Sequence, residues 1–164
     1  MRDWRRSSFV KRLEPLITRI YAKVFLRINI CNKSYEKIIN LFFMKFDDGS
    51  GDIIGVFYEV FNQLGCGFLE KVYSSSIALE FNRRGICFRK EVPLNVMYKG
   101  EFAAEYFADF VVGDIIVEVK AKKCLDSIDE AQLMNYLKAT EKKIGLLVNF
   151  GGEKLEFRRK VLNL

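Results

Sequence analysis

The sequence predicts an α/β domain that is built from three helices and a series of strands. Residues 53–84 carry apolar side chains at helical spacing, and residues 86–122 switch to the alternation that is typical of strands. Residues 128–161 return to one helix followed by two strands. With 164 residues, half of them apolar, the chain can close one sizeable core and has little room for two.

The first predicted element is a basic amphipathic helix over residues 9–30, in which charged residues interrupt an apolar stripe. Residues 1–45 hold eleven Lys or Arg against three Asp or Glu, a net charge of +8, whereas the remaining residues hold sixteen against eighteen, a net charge of −2. This N-terminal extension is too charged to span a membrane, and we expect it to dock on an anionic surface, on phosphate or on a partner. Open alternatives are a helix that packs on the body, and upstream sequence that is not translated if initiation occurs at Met44.

Residues 46–164 form the predicted body, since the polar, glycine-bearing segment 47–51 marks a joint. A helix over 53–64 ends at the Gly65-Cys66-Gly67 break, and a second over 68–84 ends at Gly85. The later elements are strands at 86–92, 94–98, 103–112 and 115–122, a helix at 128–140, and strands at 145–150 and 154–161.

The pair Gly113-Asp114 predicts a two-residue hairpin turn, with glycine at the first central position. In that register the numbers of paired residues sum to 227, so Asp109 lies opposite Glu118. Lys120 shares their face because side chains alternate along a strand. The opposite face is predicted to be core, formed by Tyr106, Ala108, Phe110, Val112, Ile115, Val117, Val119 and Ala121.

Two carboxylates that face each other between apolar neighbours require a compensating positive charge. Lys120 alone supplies it if the set is a structural salt-bridge network. The functional alternative is a hard divalent cation, Mg²⁺ with Mn²⁺ as a substitute, completed by water and phosphate oxygens. The chain has no histidine, which excludes imidazole bases, histidine-containing triads and histidine-ligated zinc.

The four cysteines are scattered without a close pair, and no segment has the length and apolarity of a transmembrane span. This usage predicts free thiols and a reducing, cytoplasmic location. The cysteines are Cys31, Cys66, Cys87 and Cys124.

Two pairs at helical spacing accompany the hairpin. Gln132 and Tyr136 are four residues apart and share a helix face, and Glu70 and Tyr73 are three apart at the start of the second helix. Each has a structural explanation, because a carboxylate in the first turn favours the helix dipole and buried tyrosines commonly belong to the core.

The segment from Gly67 to Tyr73, GFLEKVY, resembles the GxxExxY signature of the GxxExxY proteins, a branch of the PD-(D/E)XK nuclease superfamily. The surrounding order over residues 53–162 agrees, including EYFADFVV, IIVEVKA and the helix EAQLMNYLKAT. Cys66 departs from the proline that is common in the family, and Phe61 from a histidine. The resemblance implies an α/β fold with a restriction-endonuclease-like core, in which a mixed sheet is flanked by helices.

The resemblance also implies roles for particular residues. Asp109 and Glu118 become metal ligands, Lys120 lies beside the attacking water, and Glu70 is the upstream acidic residue. Gln132 and Tyr136 resemble the supporting QxxxY helix of exonuclease-like members, and Tyr73 completes the signature as a further supporting residue.

The expected function is a Mg²⁺-dependent nuclease that acts on DNA, with water as nucleophile and a 3′-oxygen as leaving group. A catalytically dormant nucleic-acid-binding or scaffold module of the same fold is the first alternative. The second is a docking protein whose function resides in the helix at 9–30.

Overall fold

A computed structural model describes residues 48–162, so the helix predicted at 9–30 lies outside the described residues. The elements follow in the predicted order of two helices, three strands, one helix and two strands. They are α1 (Ser50–Leu64), α2 (Glu70–Arg84), β1 (Arg89–Tyr98), β2 (Glu101–Val112), β3 (Ile115–Lys120), α3 (Ser127–Thr140), β4 (Ile144–Asn149) and β5 (Glu156–Val161).

The strands form one mixed sheet in the order β1-β2-β3-β4-β5. β3 and β4 are parallel, and α3 connects them, whereas the other neighbouring pairs are antiparallel. Gly113 has φ 55°, a conformation that glycine adopts without steric cost, and it begins the turn between β2 and β3. The predicted α/β class with a mixed sheet is therefore confirmed.

Helices cover both faces of the sheet. On one face α1 and α2 pack on Phe110, Val117 and Val119, and Phe57 and Tyr73 are among the fully buried helix residues. On the other face α3 contributes a separate apolar cluster with Ile116 and Leu147 of the sheet; its helix members are Leu133, Tyr136 and Leu137. The central strand β3 is thus buried on both sides, which explains its almost continuous apolar sequence.

The three helices begin one to three residues away from their predicted starts. α1 begins at Ser50, where the backbone N–H donates to the Asp48 carboxylate at 2.9 Å. α2 begins at Glu70 instead of residue 68. α3 begins at Ser127 behind a capping box, in which Asp126 accepts from the backbone of Asp129 and the Asp129 carboxylate accepts from the backbone of Asp126.

The prediction of separate strands at 86–92 and 94–98 is wrong, since β1 runs without a break from Arg89 to Tyr98. Pro93 interrupts the pattern in sequence but pairs with Phe107 in the ladder. β1 is the edge of the sheet, where the missing N–H of a proline costs no bond to a further strand.

The predicted core face of β2 is also partly wrong. Phe110 packs against α1 and α2, but Ala108 belongs to the α3 cluster, and the Tyr106 ring lies 5.5 Å from the Tyr136 ring. The change of face falls at Asp109. The ladder to β1 skips the same point, since Val92 pairs with Ala108 and Lys90 with Phe110, while Glu91 between them adopts φ 52°. Simple alternation therefore fails at this irregularity.

Within residues 48–162, no helix has the length and apolarity needed to cross a membrane. Cys66, Cys87 and Cys124 are free and exposed, and Cys31 lies outside the described residues.

Candidate functional site

The hairpin of β2 and β3 has the predicted register. Val112 pairs with Ile115, Val111 with Ile116 and Phe110 with Val117. The backbone ladder ends there, and the Asp109 carboxylate takes over: its Oδ2 accepts a hydrogen bond from the Val119 N–H at 2.7 Å. Asp109 thus contacts the backbone next to Glu118, so the two strands open at the point where the carboxylates meet.

Glu118 lies in the middle of the candidate site and is only 3% exposed. Its Oε1 accepts hydrogen bonds from Lys120 Nζ at 2.6 Å and from Gln132 Nε2 at 2.9 Å. Its Oε2 is buried and has no hydrogen-bond partner among residues 48–162. One oxygen of this carboxylate is therefore fixed by the protein while the other is left for a ligand.

Burial, together with the nearby Asp109 charge, raises the pKa of Glu118 to about 7 against the opposing effect of Lys120. Burial also raises the pKa of Asp109, although the hydrogen bond from Val119 and the Lys120 charge lower it. Both anionic forms are thus unfavourable in the metal-free protein. A bound cation would stabilise them.

Lys120 carries the positive charge of the site. Burial by itself lowers the pKa of this amine, but the hydrogen bond to Glu118 and the charges of Glu118, Glu70 and Asp109 outweigh burial, so the pKa is raised. Lys120 therefore remains protonated at neutral pH and acts as a hydrogen-bond donor.

Glu70, the first residue of α2, approaches the same group from the other side of the hairpin. Its pKa is raised by burial and by Asp109, and it is lowered by Lys120 and by a hydrogen bond with the Ala121 backbone. These effects act at short range, so Glu70 lies near the strand residues. Glu70, Asp109, Glu118 and Lys120 are called the carboxylate cluster below.

α3 supports the cluster through the two residues that share a helix face. Gln132 Nε2 donates to Glu118 Oε1 and also to the Tyr136 hydroxyl. Tyr136 is 3% exposed and belongs to the α3 core cluster. A buried tyrosine thus orients a glutamine, and the glutamine orients Glu118.

Tyr73 lies in the core, where it supports the loop before α2. Its hydroxyl donates to the Gly65 carbonyl at 2.9 Å and accepts from the Phe68 N–H at 3.2 Å. Its ring stacks on Phe150 with centroids 4.5 Å apart. The last residue of the GFLEKVY segment therefore holds the entry to the helix that begins with Glu70.

Sequence reasoning missed Asn149, a fully buried residue at the end of β4. Its side chain accepts from the Lys122 N–H and donates to the Lys122 carbonyl, each at 2.9 Å, and it also accepts from the Gly151 N–H. The chain just beyond Lys120 is clamped by this residue. The available signal was a polar amide closing the apolar run LLVN.

A metal ion at the carboxylate cluster would have few protein ligands. Among residues 48–162, no three Cys, Asp or Glu side chains are grouped so that they could hold an ion. Mg²⁺ does not require three, because it commonly keeps several waters and binds to one or two carboxylates plus substrate phosphate. Asp109 and Glu118 fit this requirement, and the unpartnered Glu118 Oε2 is the atom that most needs a cation.

Comparison with known proteins identifies the family to which the chain belongs. The crystal structure of SSO0001 resembles the chain with a TM-score of 0.46 and 15% identity over 58% of this chain and 51% of that one, so the chain spans about half its length. No protein with a curated description matches in sequence. The family model described as the PD-(D/E)XK nuclease superfamily matches residues 47–160, a range that contains the whole cluster. Because that range covers more than half of the chain, the protein belongs to the PD-(D/E)XK nuclease superfamily.

Proposed function

We propose that the protein is a divalent-metal-dependent nuclease that hydrolyses phosphodiester bonds in DNA, using Mg²⁺ or, as a substitute, Mn²⁺. The observation that carries the proposal is the buried, unpartnered Glu118 Oε2 beside Asp109 and Lys120. A purely structural salt bridge would favour partners for both oxygens, because an unsatisfied buried acceptor costs roughly 1–3 kcal/mol.

Asp109 and Glu118 would hold the metal. When bound, a divalent ion polarises the scissile phosphate and lowers the pKa of water. Lys120 is protonated and within hydrogen-bonding distance of Glu118, so it can position the attacking water and stabilise negative charge on the phosphate. The water oxygen forms a bond to phosphorus and loses a proton to bulk water, the bond from phosphorus to the 3′-oxygen breaks, and that oxygen takes a proton from another water molecule.

The remaining members of the site have positioning roles in this proposal. Gln132 holds Glu118 Oε1 and is itself held by Tyr136. Glu70 adds a third negative charge near Lys120, which favours the protonated amine. Tyr73 supports the loop that leads into Glu70.

The net charge of residues 46–164 gives the proposed metal ion a second role. Residues 46–164 carry a net charge of −2, so bulk electrostatic attraction does not bring a polyanion to the site. A divalent cation between the carboxylates and the phosphate would remove the local repulsion.

The test is a cleavage assay on labelled single- and double-stranded DNA and RNA with Mg²⁺, Mn²⁺ or EDTA. Glu118→Gln keeps the shape of the side chain but removes its charge, and it should abolish metal-dependent cleavage. Glu59→Gln is the matched control, because Glu59 is a partly exposed carboxylate on α1 that bonds only Gln63 in the described part of the chain. If the protein cleaves nothing with either metal and binds DNA equally well without its cluster, the dormant binding module is the correct function.

A further inference from the structure

We propose, on the basis of the proposed function, that a cleft beside the carboxylate cluster binds one unpaired base of the DNA strand. The cleft has a volume of about 190 Å³ and opens between β2 and α3. It is called the Tyr106 cleft here, and its lining residues are Tyr106, Ile128, Ala131, Gln132, Asn135 and Tyr136.

The Tyr106 cleft is continuous with the cluster through two shared residues. Gln132 and Tyr136 line the cleft, and Gln132 also donates to Glu118 Oε1 at 2.9 Å. A group in the cleft is thus one side chain away from the carboxylate that would hold the metal. A nucleotide whose phosphate reaches the cluster carries its base within reach of this cleft.

The size and surface of the cleft suit a single planar heterocycle. Its volume is below the roughly 300–1,000 Å³ of pockets for drug-sized ligands, which points to a smaller group. Tyr106 is 39% exposed, so part of its ring is available, and Ile128, which lines the same cleft from α3, is largely exposed. An aromatic face and an aliphatic side chain can hold a base by stacking, whatever its identity.

Asn135 provides a polar group at the rim. It is exposed on α3, and its amide makes no hydrogen bond within residues 48–162. A free amide can donate to and accept from the edge of a base. An unpaired base offers that edge, whereas in a duplex the partner strand occupies it.

The experiment measures binding of a fluorescein-labelled oligothymidylate by anisotropy in EDTA, which prevents metal-dependent cleavage. Tyr106→Ala should weaken binding roughly 5- to 150-fold, the range expected for loss of one stacked base. Tyr106→Phe should retain the affinity because its ring still stacks. Binding of a blunt-ended duplex should be the same in all three proteins.

Two further variants distinguish a specific loss of binding at the Tyr106 cleft from a loss of folding and from nonspecific hydrophobic binding. Ala131→Leu fills the cleft at an exposed helix position that tolerates leucine, so it should weaken oligothymidylate binding while thermal unfolding stays unchanged. Phe107→Ala removes a comparably exposed ring from the opposite face of β2 and should leave the affinity intact.

Equal affinities of Tyr106→Ala and wild type, or equal losses in Tyr106→Ala and Phe107→Ala, would overturn the inference. A Tyr106→Ala loss that is the same for duplex and single strand would overturn it too. Failure of the proposed function has a different signature, namely no cleavage by wild type with Mg²⁺ or Mn²⁺. If the wild-type protein cleaves duplex DNA and Tyr106→Ala binds oligothymidylate with wild-type affinity, the proposed function stands. The proposed binding of a base in the Tyr106 cleft is then refuted.

Discussion

The two oxygens of Glu118 have different surroundings, and this difference separates the roles of its neighbours. Oε1 is held by Lys120 and Gln132, which determine where the carboxylate lies. Oε2 is buried without a partner in the described part of the chain. Substitution of Lys120 or Gln132, which orient Glu118, should therefore affect different measurements from substitution of Asp109, which would share a metal ion with Glu118.

Asp109→Ala and Lys120→Ala should both abolish most turnover, but for different reasons. Asp109→Ala removes a proposed ligand, so metal affinity should fall and high Mn²⁺ should restore part of the activity. Lys120→Ala leaves both carboxylates and removes a competing positive charge, so the metal should bind at least as well while cleavage is lost. Isothermal titration with Mn²⁺ and single-turnover cleavage would measure the two effects. Full activity in Lys120→Ala would show that this lysine is only a salt-bridge partner.

The metal-free protein should lose stability as the pH rises through neutrality. Burial raises the pKa of Glu118 from 4.5 to about 7, so the folded state binds this proton more tightly than the unfolded state. The contribution is fully present below about pH 4.5 and is lost as the pH rises through 7, with a magnitude on the order of 3 kcal/mol. Urea unfolding in EDTA between pH 5 and 8.5 would measure it.

The control for this pH dependence is Glu118→Gln, which cannot titrate at this position and should flatten the slope of unfolding free energy against pH. Glu59→Gln should keep the wild-type slope. Mg²⁺ should raise the wild-type stability mainly above pH 7, because the metal competes with the proton for the same carboxylate. An unchanged slope in Glu118→Gln would assign the titration to another group.

At the scale of elements, the end of β3 is held in place by the end of β4. Phe150 N–H donates to the Lys120 carbonyl at 2.8 Å, and Asn149 binds both backbone groups of Lys122. Gly151 completes the contact, since a Cβ there would lie 2.7 Å from the Ala121 carbonyl carbon and closer still to the Lys122 backbone. Backbone atoms cannot move aside as a flexible side chain can, so glycine is required for this approach.

Gly151→Ala should therefore destabilise the fold by about 1–3 kcal/mol or more and should displace the strand end that carries Lys120. Gly152→Ala is the matched control, because its added Cβ would come no closer than 3.3 Å to another atom, so stability should change by less than about 1 kcal/mol. Denaturant unfolding of the two variants gives the comparison. Equal stabilities would mean that the loop shifts to accept the methyl group.

The elements also show which sequence signals were sufficient. The Gly113-Asp114 turn determined the hairpin register, because a two-residue loop leaves only one pairing. Pro93 misled the prediction, since its effect depends on whether its strand is at the edge, and strand order is a property of the whole sheet. Asp126 and Asp129 stand three residues apart in the sequence, as in a capping box, and this pair accounts for the start of α3 at Ser127.

At the scale of the whole molecule, the sequence predicts the part of the carboxylate cluster that lies on one hairpin, namely Asp109, Glu118 and Lys120 on β2 and β3. Its other parts come from distant segments, with Gln132 from α3 and Asn149 from β4. Spacing within a helix predicted that Gln132 and Tyr136 share a face, and resemblance to a family suggested where that face points. Neither could predict the unpartnered oxygen of Glu118 or the strand irregularity at Asp109, because both arise only when three layers pack together.

The uneven charge of the chain gives the last prediction. Residues 1–45 carry +8 and the remainder −2, so removal of residues 1–43 should weaken DNA binding mainly at low salt. Each lost phosphate contact should reduce the slope of log affinity against log salt by about 0.7 for a single strand. Anisotropy titrations of the oligothymidylate from about 50 to 200 mM salt would measure this slope.

A full-length variant with Gln at the basic positions of 1–45 controls for chain length and should behave like the truncation. Metal-dependent cleavage at saturating substrate should persist in both variants, because the cluster lies entirely within the body. Unchanged affinity and slope after truncation would show that the extension is not a nucleic-acid arm, and lost cleavage would show that it is part of the working enzyme.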